Sequence, residues 1–78
     1  METLLDFLGA LDELDVSYVL GHYRREAITT HVTADPTERW EVEFFDDGTM
    51  ELERFRSPDE RVTAGTVDAL LAELRASR

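Results

Sequence analysis

Four glutamates in two short runs are the residues of this chain best placed to do chemistry. Glu41 and Glu43 alternate with Trp40, Val42 and Phe44, while Glu51 and Glu53 alternate with Met50 and Leu52. Side chains two residues apart lie on the same face of an extended strand, so each run presents a pair of carboxylates. Two pairs on neighbouring strands make a tetrad. Such a tetrad can hold the guanidinium or ammonium groups of a basic protein or, inside a cleft, can act as general acid and base. His31 belongs to a third alternating run, with Ile28, Thr30 and Val32 on its other face.

The turn between the runs decides whether the tetrad forms. A two-residue turn at Asp47-Gly48 would pair Phe44 with Glu51 and mix apolar with charged faces. A three-residue loop over Asp46–Gly48, with Gly48 supplying the left-handed position of a bulge, pairs Phe44 with Met50 and Val42 with Leu52. That register keeps one face apolar, and it sets Glu43 opposite Glu51 and Glu41 opposite Glu53. Continuing the alternation back across Asp35-Pro36 pairs Val32 with Trp40, Thr30 with Val42, His31 with Glu41 and Thr29 with Glu43. Phe45 and Phe55 fall on the glutamate face, at opposite ends of the hairpin. Arg54 falls opposite Trp40, in reach of a cation–π stack. The expected partner-binding face is therefore Glu41, Glu43, Glu51, Glu53, Phe45, Phe55 and His31. Like charges directly opposed across a ladder destabilise it by about a few tenths of a kcal/mol each, so folding alone does not explain them.

Helices must support this face from behind. Leu4, Phe7, Leu8, Leu11 and Leu14 follow helical spacing over residues 3–14, and Thr3 with Asp6 opens that helix as a capping box. Gly9 within it suggests close approach of another element. Val67, Leu70, Leu71 and Leu74 mark a second amphipathic helix over roughly 64–76, capped by Thr63 or Thr66. Between them lie strand runs at Val16–Leu20, Ile28–Val32, Trp40–Phe44 and Met50–Leu52, the last ended by Ser57-Pro58-Asp59. The segment Tyr23-Arg24-Arg25-Glu26 reads as a loop, with His22 at the sheet end and on the face opposite His31. The expected fold is α+β in the order α-β-β-β-β-α, a four-stranded antiparallel sheet with both helices on one face. Residues 1–78 form one compact domain in this reading.

Composition narrows the function classes. The 78 residues carry 18 acidic and 8 basic side chains for a net charge of −10. A chain of this size buries roughly 60% of its unfolded surface, so little stability is spare. There is no cysteine, hence no disulfide and no thiolate metal site. The acidity opposes nucleic acid and anionic membranes, both of which are polyanions. No apolar run reaches the roughly 18 residues of a membrane span, and a cytoplasmic location is expected. Every basic residue is Arg, and Asp and Thr are abundant, a usage that also suits a GC-rich or salt-adapted source. The Asp46-Asp47-Gly48 turn lacks the ligand spacing of a calcium loop, and neither glycine-rich phosphate loops nor nucleophile motifs occur. No cofactor, metal or enzymatic activity is expected.

These readings leave two functions. The first is a small acidic protein-binding module whose exposed sheet face docks a basic protein surface, by the electrostatic logic of antitoxins and immunity proteins that block basic nucleases. The second is a self-associating structural domain, a homodimer through an edge strand or the outer face, whose acidity adapts it to salt.

Overall fold

The computed structural model describes residues 3–57, 60–63 and 65–77, built as two helices around a sheet. Helix α1 spans Leu4–Glu13, and its cap is the one expected: the Thr3 hydroxyl accepts the Asp6 N–H at 3.1 Å. Asp15 just beyond it adopts φ 56°, a left-handed step that turns the chain into the sheet. Helix α2 spans Val67–Ala76, and of the two candidate caps it is Thr66 that accepts the Ala69 N–H at 3.1 Å. Gly9 does not mediate close packing. It faces open space, with nothing within 4 Å of where a Cβ would stand.

The sheet contains five strands in sequential order, β1(Ser17–Arg24), β2(Ala27–Asp35), β3(Glu38–Phe45), β4(Met50–Arg56) and β5(Glu60–Val62), each antiparallel to the next. Two features depart from the sequence expectation. The fifth strand, Glu60–Val62, adds to the four expected; three residues are too few to show an alternation. Its Val62 pairs with Arg54 and its Glu60 with Arg56. Strand β1 also runs through His22, Tyr23 and Arg24, which the sequence assigned to a sheet end and a loop, with a bulge between Gly21 and Arg24 absorbing the irregularity. Pro58 and Asp59, read as the end of the fourth strand, lie outside the described residues. The β3–β4 register is the expected one, with Phe44 opposite Met50, Val42 opposite Leu52 and Trp40 opposite Arg54. Gly48 takes φ 90° in the loop, and Thr49 donates its backbone N–H and hydroxyl to the Asp47 carboxylate at 2.9 and 2.7 Å. Those bonds, the hydroxyl first, hold the Asp47 carboxyl below its ordinary pKa.

Both helices pack on one face of the sheet. Phe7, Ala10 and Leu11 of α1 and Val67, Leu70, Leu71 and Leu74 of α2 join Val32, Ala34, Trp40, Val42 and Phe44 in a single apolar cluster. Phe7 meets Phe44 with ring centroids 5.5 Å apart. Thr30 is fully buried in this face, and its hydroxyl has no hydrogen-bond partner among the described residues. At the rim Arg54 stands opposite Trp40, as the register requires, but it turns to carboxylates rather than to the ring within its reach. Its guanidinium lies 3.0 Å from Glu38 and 3.2 Å from Glu73 of α2, while Trp40 Nε1 donates to Glu38 at 3.0 Å. A guanidinium gains more from a charge-assisted bond to a half-buried carboxylate than from a ring face. Burial opposes ionisation of Glu38, but the hydrogen bonds from Trp40 and Arg54 outweigh it and hold the carboxyl below its ordinary value. This network ties α2 to the β3–β4 hairpin and leaves the other face of the sheet for the candidate site.

Candidate functional site

The four glutamates meet on the face that the helices leave open. Glu43 stands opposite Glu51 and Glu41 opposite Glu53, with His31 beside Glu41 and Thr29 beside Glu43 on β2. This is the register derived from the turn. The face is dished rather than flat, and a depression of about 250 Å³ is lined by the tetrad, Thr29, His31, Tyr23 and Arg24.

The wall of the depression arises from a glycine. Gly21 stands opposite Thr29, and the Tyr23 ring folds over the position that a Cβ at Gly21 would occupy. From there the Tyr23 hydroxyl reaches His31 Nε2 at 2.9 Å, and the two rings meet edge to face at 5.6 Å. His31 Nδ1 lies 3.7 Å from Glu41 Oε2. An ionised carboxylate only accepts, so a neutral His31 is best satisfied with its hydrogen on Nδ1 and Nε2 accepting from the tyrosine. Glu41, His31 and Tyr23 thus stand in line. At 3.7 Å the first link is an electrostatic contact rather than a hydrogen bond, and both side chains are 36% exposed; neither feature pre-organises a proton relay.

Arginines partly sheathe the acids. Arg24 lies 3.5 Å from Glu43 with its guanidinium 5.7 Å over the Phe45 ring. At the other end Arg61 lies 3.2 Å from Glu53, and the Arg39 guanidinium sits 5.5 Å over Phe55. Phe45 and Phe55 therefore sit at opposite ends of the hairpin, as expected, each beneath an arginine. Glu51 has no ion-pair partner among the described residues. Thr29 is only 8% exposed and lines the depression.

The sequence assigned Glu41, Glu43, Glu51, Glu53, His31, Phe45 and Phe55 to this face, and the structure brings the first five around one depression with the two phenylalanines beyond its ends. It left Tyr23 and Arg24 out, and it set Thr29 opposite Glu43 without counting it in the site. The available signal was Gly21 two residues before Tyr23, a bare position on the outer face that an aromatic neighbour can cover. His22 takes no part in the depression, in keeping with its expected separation from His31.

The volume is below the roughly 300 Å³ where small-molecule sites begin. Among the described residues no group of His, Asp or Glu is arranged to hold a metal ion. Among them, too, no helix is long and apolar enough to cross a membrane. Comparison of the chain with protein-family models, with curated proteins and with solved structures finds no match.

Proposed function

We propose that this protein is a small acidic binding module whose outer sheet face docks an arginine- or lysine-bearing surface of another protein, as an inhibitor of the antitoxin or immunity type or as an adaptor. The observation that carries this reading is the depression at the centre of the tetrad, where opposed glutamates are held together against their mutual repulsion and Glu51 stays uncompensated. Groups retained against a folding cost are explained by something they do. Arg24, which lies over Phe45 beside Glu43, supports it further, since it displays within one chain the contact a partner's arginine would make. A pre-formed negative dish also speeds capture of a cationic partner. In this reading the protein acts in the cytoplasm and catalyses nothing.

The test is a titration of the isotope-labelled protein with an arginine-rich peptide, followed by amide shifts. At low salt the shifts should centre on Thr29, His31, Glu41, Glu43, Glu51 and Glu53, and they should shrink as salt rises. Replacing Glu51 and Glu53 together by Lys should remove them. Shifts that are absent, or that spread equally over α1 and α2, would sink the proposal.

A further inference from the structure

We infer that β1 is the joint of a homodimer, pairing antiparallel with β1 of a second copy about a two-fold axis through Leu20. The sheet order leaves two edges, and they differ. Strand β5 offers three residues, whereas β1 offers eight with one side of its backbone unpaired. Edge strands are ordinarily blunted by charge, proline or shortness. From Ser17 to Tyr23, β1 contains no proline and no formal charge, and it exposes Val19 at 67% and Leu20 at 47%. Its ladder with β2 is regular from Ser17 to Gly21, so the free side of that stretch is straight enough to accept another strand.

Charge names the occupant. The chain has 18 acidic residues, yet none falls between Val16 and Arg25. In a molecule of net charge −10, this strand alone lets a second copy approach without local repulsion. Its two ends are complementary. Asp12, Glu13 and Asp15 stand before it, and Arg24-Arg25 close it. Antiparallel pairing about a two-fold axis sets each copy's arginines beside the other's acids, twice over; parallel pairing would set like ends together.

Register follows from the pleat. A two-fold axis normal to the sheet keeps inner residues inner, so directly opposed positions must share a face. An axis through Leu20 sets the two leucines against each other on the helix side, Tyr18 against His22, and Val19 beside the Tyr23 ring that covers Gly21 of the other copy. It also places Arg25 by Asp15. An axis through Gly21 would oppose two glycines and leave Leu20 facing His22. The joint is independent of what the acidic dish binds. It would turn both dishes to the same side of one ten-stranded sheet, ready to grip a partner at two points.

Sedimentation of the full chain in about 0.15 M salt, where screening reduces the general repulsion, tests the joint. The expected result is a dimer, with Val19→Lys raising its dissociation constant by about tenfold or more while melting as the parent does. Because the chain has no cysteine, Leu20→Cys supplies a second readout. Under mild oxidant it should form a covalent dimer well ahead of Thr33→Cys, an exposed position on β2, since opposed residues in a ladder lie within disulfide reach. A chain that stays monomeric at millimolar concentration overturns the inference. So does a dimer in which Leu20→Cys links no faster than Thr33→Cys.

Discussion

Glu43 and Glu51 face each other across the β3–β4 ladder under unequal conditions: Arg24 lies 3.5 Å from Glu43, and Glu51 has no cation among the described residues. The repulsion between them therefore falls on Glu51, the more exposed of the pair.

Reversing that one charge should relieve it. Glu51→Lys converts a like pair into an opposite pair on an exposed ladder, for a gain of about 0.2–1 kcal/mol. For a domain of this size a gain of that order raises the melting temperature by about 1–8 °C. The same change should weaken capture of an arginine-rich peptide. Calorimetry and the peptide titration, run on one variant, should move in opposite directions; a destabilised variant would show that Glu51 is held by contacts other than charge.

Glu38 should behave in the reverse sense. It is nearly buried, accepts from Trp40 and Arg54, and lies 3.4 Å from Arg56. Glu38→Gln leaves Arg54 deep in the rim without its main counter-charge and should cost roughly 3 kcal/mol. Because folding lowers the Glu38 pKa from its ordinary 4.5, its contribution is fully present above pH 4.5 and disappears as pH falls through the folded value. The gap between parent and variant, measured by denaturant unfolding, should be constant near neutrality and should close in acid.

Thr30 offers a gain of stability from the core. Its hydroxyl is buried without a hydrogen-bond partner among the described residues, next to Val42. Thr30→Val removes the unsatisfied polar group at nearly constant shape and should stabilise by about 1–2 kcal/mol. A loss of stability in the urea midpoint would mean that a water satisfies the hydroxyl in solution.

Gly21→Ala separates the site from the fold. The new Cβ would occupy the space of the Tyr23 ring, an exposed side chain free to swing outward, so the melting temperature should change little. The Tyr23–His31 hydrogen bond should be lost, visible as a change in the His31 ring nitrogen shifts. Unchanged ring shifts would argue that tyrosine and histidine are not joined in solution.

The sheet register was legible because one three-residue loop, Asp46–Gly48, fixes it and because Trp40, Val42, Phe44, Met50 and Leu52 admit a single apolar face. Everything downstream of that register, including the tetrad and the His31–Glu41 neighbourhood, followed. Glu60–Val62 was illegible because three residues cannot show a period, and it is Arg54 and Arg56 on β4 that give them a ladder. Arg54 was misjudged for a different reason. Its neighbour across the ladder, Trp40, is visible from register, but its acidic partners Glu38 and Glu73 lie along the strand and on α2. Tyr23 escaped because the first strand run was read as ending at Leu20 and Tyr23 as loop, whereas β1 runs on to Arg24 and sets Tyr23 on the face of Gly21.

The sequential strand order bears on how the molecule assembles. Every ladder joins neighbours in the chain, so the sheet can grow hairpin by hairpin with short loops to close, a route associated with fast folding. The two helices are different: α1 and α2 come from opposite ends of the chain and meet on the same sheet face. Of the closures among the described residues, the docking of these two helices on one face spans the longest separation in the chain. Loop-closure entropy predicts that this docking forms late in folding.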